Sequence, residues 1–350
     1  MTDTNRRARG TRIVAGFDAR VGYLAAASFA LTLAFLPQTV FAQGAWPVAP
    51  ASPNIIAVAN LFWFMFAIAV VIFIGVEGSL FYAAFRFRRR PGVSAAQIHG
   101  STRIEIIWTA IPALILAIIY FLTVQTMVTY SAPPGVAADP IHIKAIGHQW
   151  WWEFQYTDEG FSTANEIHVP AHTDVIVDVT TADVIHSFWL AQLAGKADAN
   201  PGRVQTVWFN AQQSGVYEGK CAEFCGVSHA WMYFRVDALS PTDYQNWVKA
   251  EKTKPAPVSG LAAQGQQLYQ SSDCGSCHAI SGVSNGDVAP DLTHVASRWT
   301  IGAGVLDNTP ENMYVWLENP QAVKPGVLMP NYRFSPDQLR ALTAYMESLR

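Results

Sequence analysis

Two short clusters of cysteine, histidine and methionine give this sequence its chemistry. The first cluster contains Cys221, Cys225, His229 and Met232, so that two thiols, an imidazole and a thioether lie within 12 residues. His186 supplies another imidazole upstream. Soft sulfur ligands with imidazole bind copper, and a mononuclear blue-copper site uses one cysteine, two histidines and a weak methionine. The additional cysteine predicts two coppers, bridged by both thiolates and each capped by one histidine.

Three other interpretations of this cluster remain open. A Cys2His2 zinc site has the same residue types, although zinc gives no role to Met232. A disulfide between Cys221 and Cys225 is an alternative in an oxidising compartment. His186 alone has the further alternative of a hydrogen-bonded histidine in a protein core.

The second cluster is Cys274-Gly-Ser-Cys277-His278, the C-x-x-C-H pattern at which a c-type haem is attached covalently. In such a site the two thiols form thioethers to the porphyrin, and the histidine ligates the iron from one side. The pattern also arises by chance, but here it lies in a segment of helical character with a size suited to a small haem domain.

A methionine on the second side of a haem iron raises its reduction potential. Met329 lies 51 residues after His278 and directly before a proline, and we predict that it is this second ligand. Met313 and Met346 lie in segments of helical spacing, where we expect them to be core residues.

Composition favours a membrane protein. Charged residues make up 14% of the chain, against about 25% in typical soluble domains. The net charge of -3, without a concentrated basic face, argues against nucleic acid as a partner. Four cysteines in two local pairs are fewer than a secreted disulfide framework usually has.

The first 42 residues resemble an export signal. Four arginines between residues 6 and 12 precede an apolar stretch, Val21 to Leu36, and a small-residue exit that ends at Ala42. We predict cleavage after Ala42. A third transmembrane helix is the alternative, although this apolar stretch has 16 residues and a spanning helix needs about 20.

Two longer apolar segments predict transmembrane helices at about 56–85 and 106–127, within an N-terminal region 43–140. The basic run Arg86 to Arg90 lies between them. The positive-inside bias places this loop in the cytoplasm and both mature termini on the outer side.

Residues 141–250 predict a compact all-β domain, most simply a Greek-key sandwich, because their β-branched stretches alternate and are separated by Gly and Pro. A polar, proline-bearing linker follows at 251–260. Residues 261–350 predict a small all-α domain, with helical spacing at Ala262 to Tyr269, Pro310 to Glu318 and Pro336 to Leu349.

The copper cluster, the motif around His186 and the two preceding helices resemble subunit II of cytochrome c oxidase. The resemblance implies a cupredoxin-like domain with a dinuclear CuA centre. The helical domain resembles small class I cytochromes c, so the whole chain looks like the fused subunit II of caa-type haem–copper oxidases. Quinol oxidase subunits of similar architecture lack the copper ligands, which favours a cytochrome c-type donor.

By this resemblance, side chains of five residues ligate the coppers: His186, Cys221, Cys225, His229 and Met232. Glu223 matches the residue that binds copper through its backbone carbonyl and magnesium, at the interface with subunit I, through its carboxylate. The sequence leaves open that Glu223 is a solvated loop acid.

Two further positions match functional residues of the family. Trp150, in the aromatic run from His148 to Trp152, matches the tryptophan at which electrons enter, although the family usually has Tyr where this chain has Trp151. Packing within the sandwich is the alternative for Trp151 and Trp152. Glu105 matches the acid near the mouth of a proton pathway and has the alternative of an interfacial residue. Glu77, inside the first apolar span, is a candidate for pairing.

The implied function is to receive electrons for a proton-translocating terminal oxidase in a bacterial inner membrane, with the copper and haem domains on the periplasmic side. Electrons pass from cytochrome c or a quinol–cytochrome c reductase to the haem, then to copper, then to subunit I, which reduces oxygen. Other oxidase subunits and membrane lipid are the remaining partners. The alternatives are the corresponding subunit of a nitric oxide reductase and a copper-delivery protein.

Overall fold

A computed structural model describes residues 49–89, 91–92, 100–131 and 140–350. The predicted signal segment with its cleavage site, and Arg90 of the basic loop, lie outside the described residues.

Two long apolar helices precede the sandwich: α1, Pro53–Arg86, and α2, Thr102–Ser131. Both are long and apolar enough to cross a membrane, with 34 and 30 residues. They extend the predicted spans by a few residues at each end, since Pro at the first turn is compatible with a helix start. Most of their large apolar side chains face outward, as lipid contact requires.

Hydrogen bonds connect the start of α1 and the end of α2 to the sandwich. Asn54 donates a hydrogen bond to the carbonyl of Trp208 at 2.8 Å, and the Trp208 indole donates to the carbonyl of Tyr130 at 2.9 Å. The Tyr130 hydroxyl donates to the carbonyl of Ala194 at 2.9 Å. These contacts hold the sandwich against one end of the helix pair.

The sandwich consists of two five-stranded sheets in the described chain. The strands are β1 Ile141–His148, β2 Trp151–Tyr156, β3 Phe161–Ala164, β4 Glu166–Pro170, β5 Asp174–Thr181, β6 His186–Leu190, β7 Gly195–Ala199, β8 Gln205–Asn210, β9 Gly215–Cys221 and β10 Tyr233–Leu239. The strand orders are β3-β2-β1-β5-β8 and β4-β10-β9-β6-β7. The pairs β1–β5 and β4–β10 are parallel, and the other pairs are antiparallel.

The core between the sheets forms because buried and less buried residues alternate along the strands. In β2 every second residue is buried, and in β5 Val175, Val177 and Val179 are fully buried. Trp152, Phe188 and Phe234 meet there, with Trp152 set edge-on to both phenylalanines. The period of two therefore directs one face of each sheet inward.

The sandwich segment ends in a helix, although the sequence predicted an all-β domain there. Helix α3, Pro241–Glu251, begins at Ser240, whose hydroxyl accepts from the amide of Asp243. It packs on β4 and β10. The segment 141–250 is therefore not purely β, and the irregular part of the linker is limited to residues 252–259.

The C-terminal part is mainly helical, as predicted. Its helices are α4 Gly260–Ser271, α5 Cys274–Cys277, α6 Pro310–Glu318, α7 Pro320–Val323 and α8 Pro336–Ser348. Helices α4 and α8 pack closely, and the backbone of α8 at Ala341 meets α4 at Gly265, where a Cβ would lie 2.0 Å from a carbonyl oxygen. This packing supports the wall of a cavity beside the C-x-x-C-H segment.

Candidate metal and haem centres

Neighbouring strands bring the copper candidates together. His186 begins β6 and Cys221 ends β9, and these strands pair antiparallel with Phe188 opposite Cys221. Residues 221–232, here the copper loop, then turn back, so that the amide of Cys221 donates to the carbonyl of Met232 at 2.9 Å. The sheet and the loop thus place the ligand types within one buried patch.

The copper loop and His186 form one compact set of donor atoms. The two sulfurs of Cys221 and Cys225 lie 3.8 Å apart, and both cysteines are free. Nδ1 of His186 is 3.8 Å from the Cys221 sulfur, and Nδ1 of His229 is 3.5 Å from the Cys225 sulfur. Met232, fully buried, places its sulfur 3.9 Å from that of Cys225.

Asp183 orients one imidazole. Its carboxylate lies 2.8 Å from Nε2 of His186, so a proton on Nε2 leaves Nδ1 as a lone-pair donor toward the sulfurs. Burial by itself lowers the pKa of His186, but the hydrogen bonds to Asp183 and Cys221 raise it overall. The sequence motif contained Asp183, yet nothing in its spacing revealed this orienting role.

The sulfur pair favours metal binding. The hydrogen bond from Cys225, followed by the one from His186, lowers the pKa of the Cys221 thiol to about 3. The neighbouring thiolate raises the pKa of Cys225, so the pair shares one proton. A cation between the sulfurs removes this conflict, because thiolate is the form that binds metals.

Glu223 offers two different oxygen donors. Its backbone carbonyl lies 3.3 Å from the Cys221 sulfur, on the inner side of the loop. Its side chain is exposed. The carbonyl therefore belongs with the donor set, and the carboxylate is free to face a partner surface.

Trp150 lies between the copper loop and the C-terminal cavity. Its indole Nε1 donates to the carbonyl of Cys225 at 3.0 Å, and Gln149 Nε2 donates to the same oxygen at 2.7 Å. The ring is 8% exposed and lines the cavity. One aromatic side chain thus touches both candidate cofactor sites.

The two following tryptophans differ in environment. Trp151 is half-buried, stacks on His148 with 4.3 Å between ring centroids, and also lines the cavity. Trp152 is fully buried and packs edge-on to the ring of His186. Trp152 is therefore a core residue that supports a candidate copper ligand.

The cavity beside α5 is mostly apolar, and the C-x-x-C-H residues form part of its wall. Cys274, Cys277 and His278 line it. Nδ1 of His278 lies 2.7 Å from the carbonyl of Pro290, which orients the ring and leaves Nε2 as the donor. Burial lowers the pKa of His278, so the imidazole is held in the neutral form that binds iron. These residues fit a covalently bound haem.

Three methionines line this cavity. Met313 and Met346 are 3% and 4% exposed and belong to the hydrophobic cluster of the helices, which agrees with a packing role. Met329 is half-buried in the loop after α7, where Gln321 donates to its carbonyl at 3.1 Å. A loop methionine can turn toward a ligand with less disturbance of the core.

The membrane acids lie apart from these centres. Glu105 is in the first turn of α2 and is exposed, with its carboxylate beside Gly100. Glu77 lies inside α1 and is half-buried.

Models of three protein families match successive parts of the chain. "Cytochrome C oxidase subunit II, transmembrane domain" matches residues 42–126, the periplasmic domain of the same subunit matches 160–239, and "Cytochrome c" matches 262–350. Cytochrome c oxidase subunit 2 of Alkalihalophilus pseudofirmus is 36% identical over 293 residues, covering 82% of this chain and 84% of that protein. The chain belongs to the cytochrome c oxidase subunit II family.

Other relatives have the same description. Cytochrome c oxidase subunit 2 of Bacillus subtilis is 34% identical over 292 residues, which is 77% of this chain and 82% of that protein. The solved periplasmic domain of subunit II from Bradyrhizobium japonicum is 34% identical, covers 33% of this chain and 96% of its own length, and has a TM-score of 0.32.

Family membership confirms the predicted architecture: two transmembrane helices, a cupredoxin-like sandwich and a helical cytochrome c domain, as in a caa-type fusion. It gives the chain an electron-receiving role in a haem–copper terminal oxidase, with copper and haem binding. It also implies association with other oxidase subunits and a cytochrome c-type redox partner. The chain is a membrane protein with a periplasmic domain.

Proposed function

We propose that this chain receives electrons from a cytochrome c-type donor on its own haem c and passes them through a CuA centre to the oxygen-reducing site of subunit I. When bound, the haem and the dinuclear copper each supply a one-electron redox step. The position of Trp150 carries the proposal, because this ring lines the haem cavity and donates to the carbonyl of Cys225.

The proposed copper ligands comprise side chains and one carbonyl. The side chains are His186, Cys221, Cys225, His229 and Met232, and the carbonyl is that of Glu223. Their mutual distances of 3.3 to 3.9 Å support a site shared by two metals. The exposed Glu223 carboxylate is the proposed magnesium ligand at the subunit I interface.

The proposed haem site uses Cys274 and Cys277 for covalent attachment, with His278 and Met329 as the iron ligands. Neutral His278, oriented by the Pro290 carbonyl, supports this assignment. Cytochrome c or a quinol–cytochrome c reductase is the proposed donor, and Glu105 the proposed acid near a proton pathway of subunit I.

The proposed setting is a bacterial inner membrane, with residues 1–42 removed as an export signal. We assign 43–140 to the membrane region, 141–250 to the copper domain, 251–260 to the linker and 261–350 to the cytochrome domain. The irregular backbone at 252–259 supports the placement of the linker.

Metal analysis combined with electron paramagnetic resonance tests the copper assignment. We expect two coppers and one haem per chain in the purified complex, and a spectrum in which one unpaired electron is shared by both coppers. Cys225→Ser should abolish the shared-electron spectrum while haem stays attached. One copper with a mononuclear four-line spectrum, or zinc, would contradict the proposal.

A further inference from the structure

Lys324 is a buried lysine at the contact between the cytochrome domain and the copper domain. It follows α7 and is 2% exposed, although lysine is almost never fully buried unless paired. Its Nζ donates to the carbonyls of Trp150 at 2.7 Å and Gly302 at 2.8 Å. Within the described chain, Lys324 forms no ion pair with a carboxylate. Among the described residues, this buried amino group is held by two carbonyl oxygens alone.

The first carbonyl connects Lys324 to the copper loop. Trp150 accepts from Lys324 through its backbone oxygen and donates through its indole to the carbonyl of Cys225. The second carbonyl, that of Gly302, lies in the cytochrome domain itself. The lysine therefore joins a residue of its own domain to the tryptophan that contacts the candidate copper ligand.

The residues next to Lys324 fit the same surface. The Ser228 hydroxyl of the copper loop donates to the carbonyl of Pro325. Gly326 has a φ of +84°, and a Cβ there would lie 3.2 Å from the Trp150 ring and 3.5 Å from Val227. Residues 324–326 thus lie against Trp150, and the positive φ together with this close approach favours glycine at position 326.

A second contact holds the domains together at another place. One carboxylate oxygen of Glu166, on β4, accepts from the amides of Trp299 at 2.8 Å and Thr300 at 3.1 Å. The amide of Tyr233 donates to the carbonyl of Ala303 at 3.1 Å. These bonds help to seat the cytochrome domain, but neither involves Trp150, to whose carbonyl Lys324 donates.

We infer that Lys324 is a positioning residue that fastens the cytochrome domain onto Trp150. It holds the haem cavity and the copper loop at one fixed separation, which the linker does not do. This inference rests on the proposed function. The irregular residues 252–259 by themselves would give only an effective concentration on the order of millimolar, with many relative orientations.

Internal electron transfer in the complete oxidase tests this role. Lys324→Met keeps the length of the side chain but removes the donor, leaving the carbonyls of Trp150 and Gly302 unpaired. We expect haem-to-copper transfer after flash reduction to slow by about tenfold, because leaving two buried carbonyls without a donor shifts the docking equilibrium of the cytochrome domain by about that factor or more. Haem and copper spectra should stay unchanged, and hydrogen exchange should rise at the amide of Tyr233, which donates to the carbonyl of Ala303.

Lys252→Met is the matched control. Lys252 pairs with Glu159 on the surface, and we expect transfer within about twofold of the unmodified rate, since exposed ion pairs contribute little. If Lys324→Met also transfers at that rate, Lys324 has no positioning role. The proposed route through Trp150 then still stands if Trp150→Phe slows transfer, and fails if Trp150→Phe does not.

Gly326→Ala is the second variant, for the case in which Lys324→Met does not fold with both cofactors. It leaves Lys324 in place, but its methyl group crowds the Trp150 ring and the left-handed backbone at this position becomes strained. Slower transfer with raised exchange at the Tyr233 amide supports the inference. Raised exchange at that amide with a normal transfer rate overturns it, because the contact would then be loosened without effect on transfer.

Discussion

At the scale of single residues, hydrogen bonds from neighbouring groups hold the candidate copper ligands in position. Asp183 selects the free nitrogen of His186, and Trp150 and Gln149 both donate to the carbonyl of Cys225. These partners restrict the movement of the donor atoms. A restricted donor set suits electron transfer, because little of the protein must rearrange when the charge of the site changes.

The identity of the second haem ligand is a prediction at this scale. Met329→Ala should remove the sulfur–iron absorption band and lower the reduction potential, while haem stays covalently attached. Absorption spectroscopy and a redox titration measure both effects. Met313→Ala is the comparison, because Met313 lines the same cavity from a buried helix. Loss of the band in Met313→Ala but not in Met329→Ala would show that the assignment is wrong.

Glu166 gives a pH-dependent prediction. Burial raises its pKa to about 7, partly opposed by Arg298, the amides of residues 299–300 and Arg235, and its second oxygen has no hydrogen-bond partner within the described chain. The folded chain binds the proton of the Glu166 carboxyl group more tightly than the unfolded chain does. Protonation of Glu166 therefore stabilises the fold, and this stabilisation is complete below a pH of about 4.5. It is lost as the pH rises through about 7, and amounts to about 3 kcal/mol at most.

Thermal unfolding of the purified chain between pH 5 and pH 8 measures this effect. Glu166→Gln, which keeps an acceptor for the two amides, should lose less stability over this range than the unmodified chain. Glu218→Gln, at an exposed position on β9, serves as the control. An equal loss in Glu166→Gln and the unmodified chain would exclude Glu166 as the source.

At the scale of elements, local sequence predicted the features whose determinants lie close together. The copper loop has its donors within 12 residues, and helix α6 begins and ends at Pro310 and Glu318 as its capping residues indicate. The residues Ser240, Pro241 and Asp243 are typical of a helix start in the same way, and they mark the beginning of α3, which was not predicted.

The contacts between domains were not predictable in this way. Lys324 and Trp150 are separated by 174 residues, and Glu166 and Thr300 by 134. A lysine or glutamate in a polar sequence predicts an exposed side chain, because nothing nearby indicates that a distant segment will cover it. The full wall of the haem cavity was unpredictable for the same reason, because it includes Trp150 and Trp151 from the distant copper domain.

At the scale of the whole molecule, the linker separates the copper and cytochrome domains less than its polar, proline-bearing sequence indicated. Residues 252–259 are irregular, but Lys252 pairs with Glu159 and Val258 packs against the helices of the cytochrome domain. The two domains also share buried contacts at Lys324 and Glu166. The chain therefore presents its haem cavity and copper loop as one unit rather than as two loosely tethered modules.

Membrane orientation is a prediction at this scale. Protease added to cells with opened outer layers should cut near Lys254, which is exposed in the linker, and should leave Arg88 intact. The reason is the arginine-rich loop between α1 and α2, which the positive-inside bias keeps in the cytoplasm. Protection of Lys254 together with cleavage near Arg88 would reverse the proposed topology.

Electron transfer from the haem to the copper centre after flash reduction tests the central claim most directly. In the complete oxidase, Trp150→Phe removes the hydrogen bond to the Cys225 carbonyl and replaces the indole that bridges both sites by a smaller ring. Trp151→Phe is the matched control, because Trp151 lines the cavity but stacks on His148 instead. We predict that Trp150→Phe slows the decay of reduced haem and the matching rise of reduced copper, with both cofactors retained, while Trp151→Phe has a much smaller effect. An unchanged rate in Trp150→Phe would show that electrons reach the copper centre by another route.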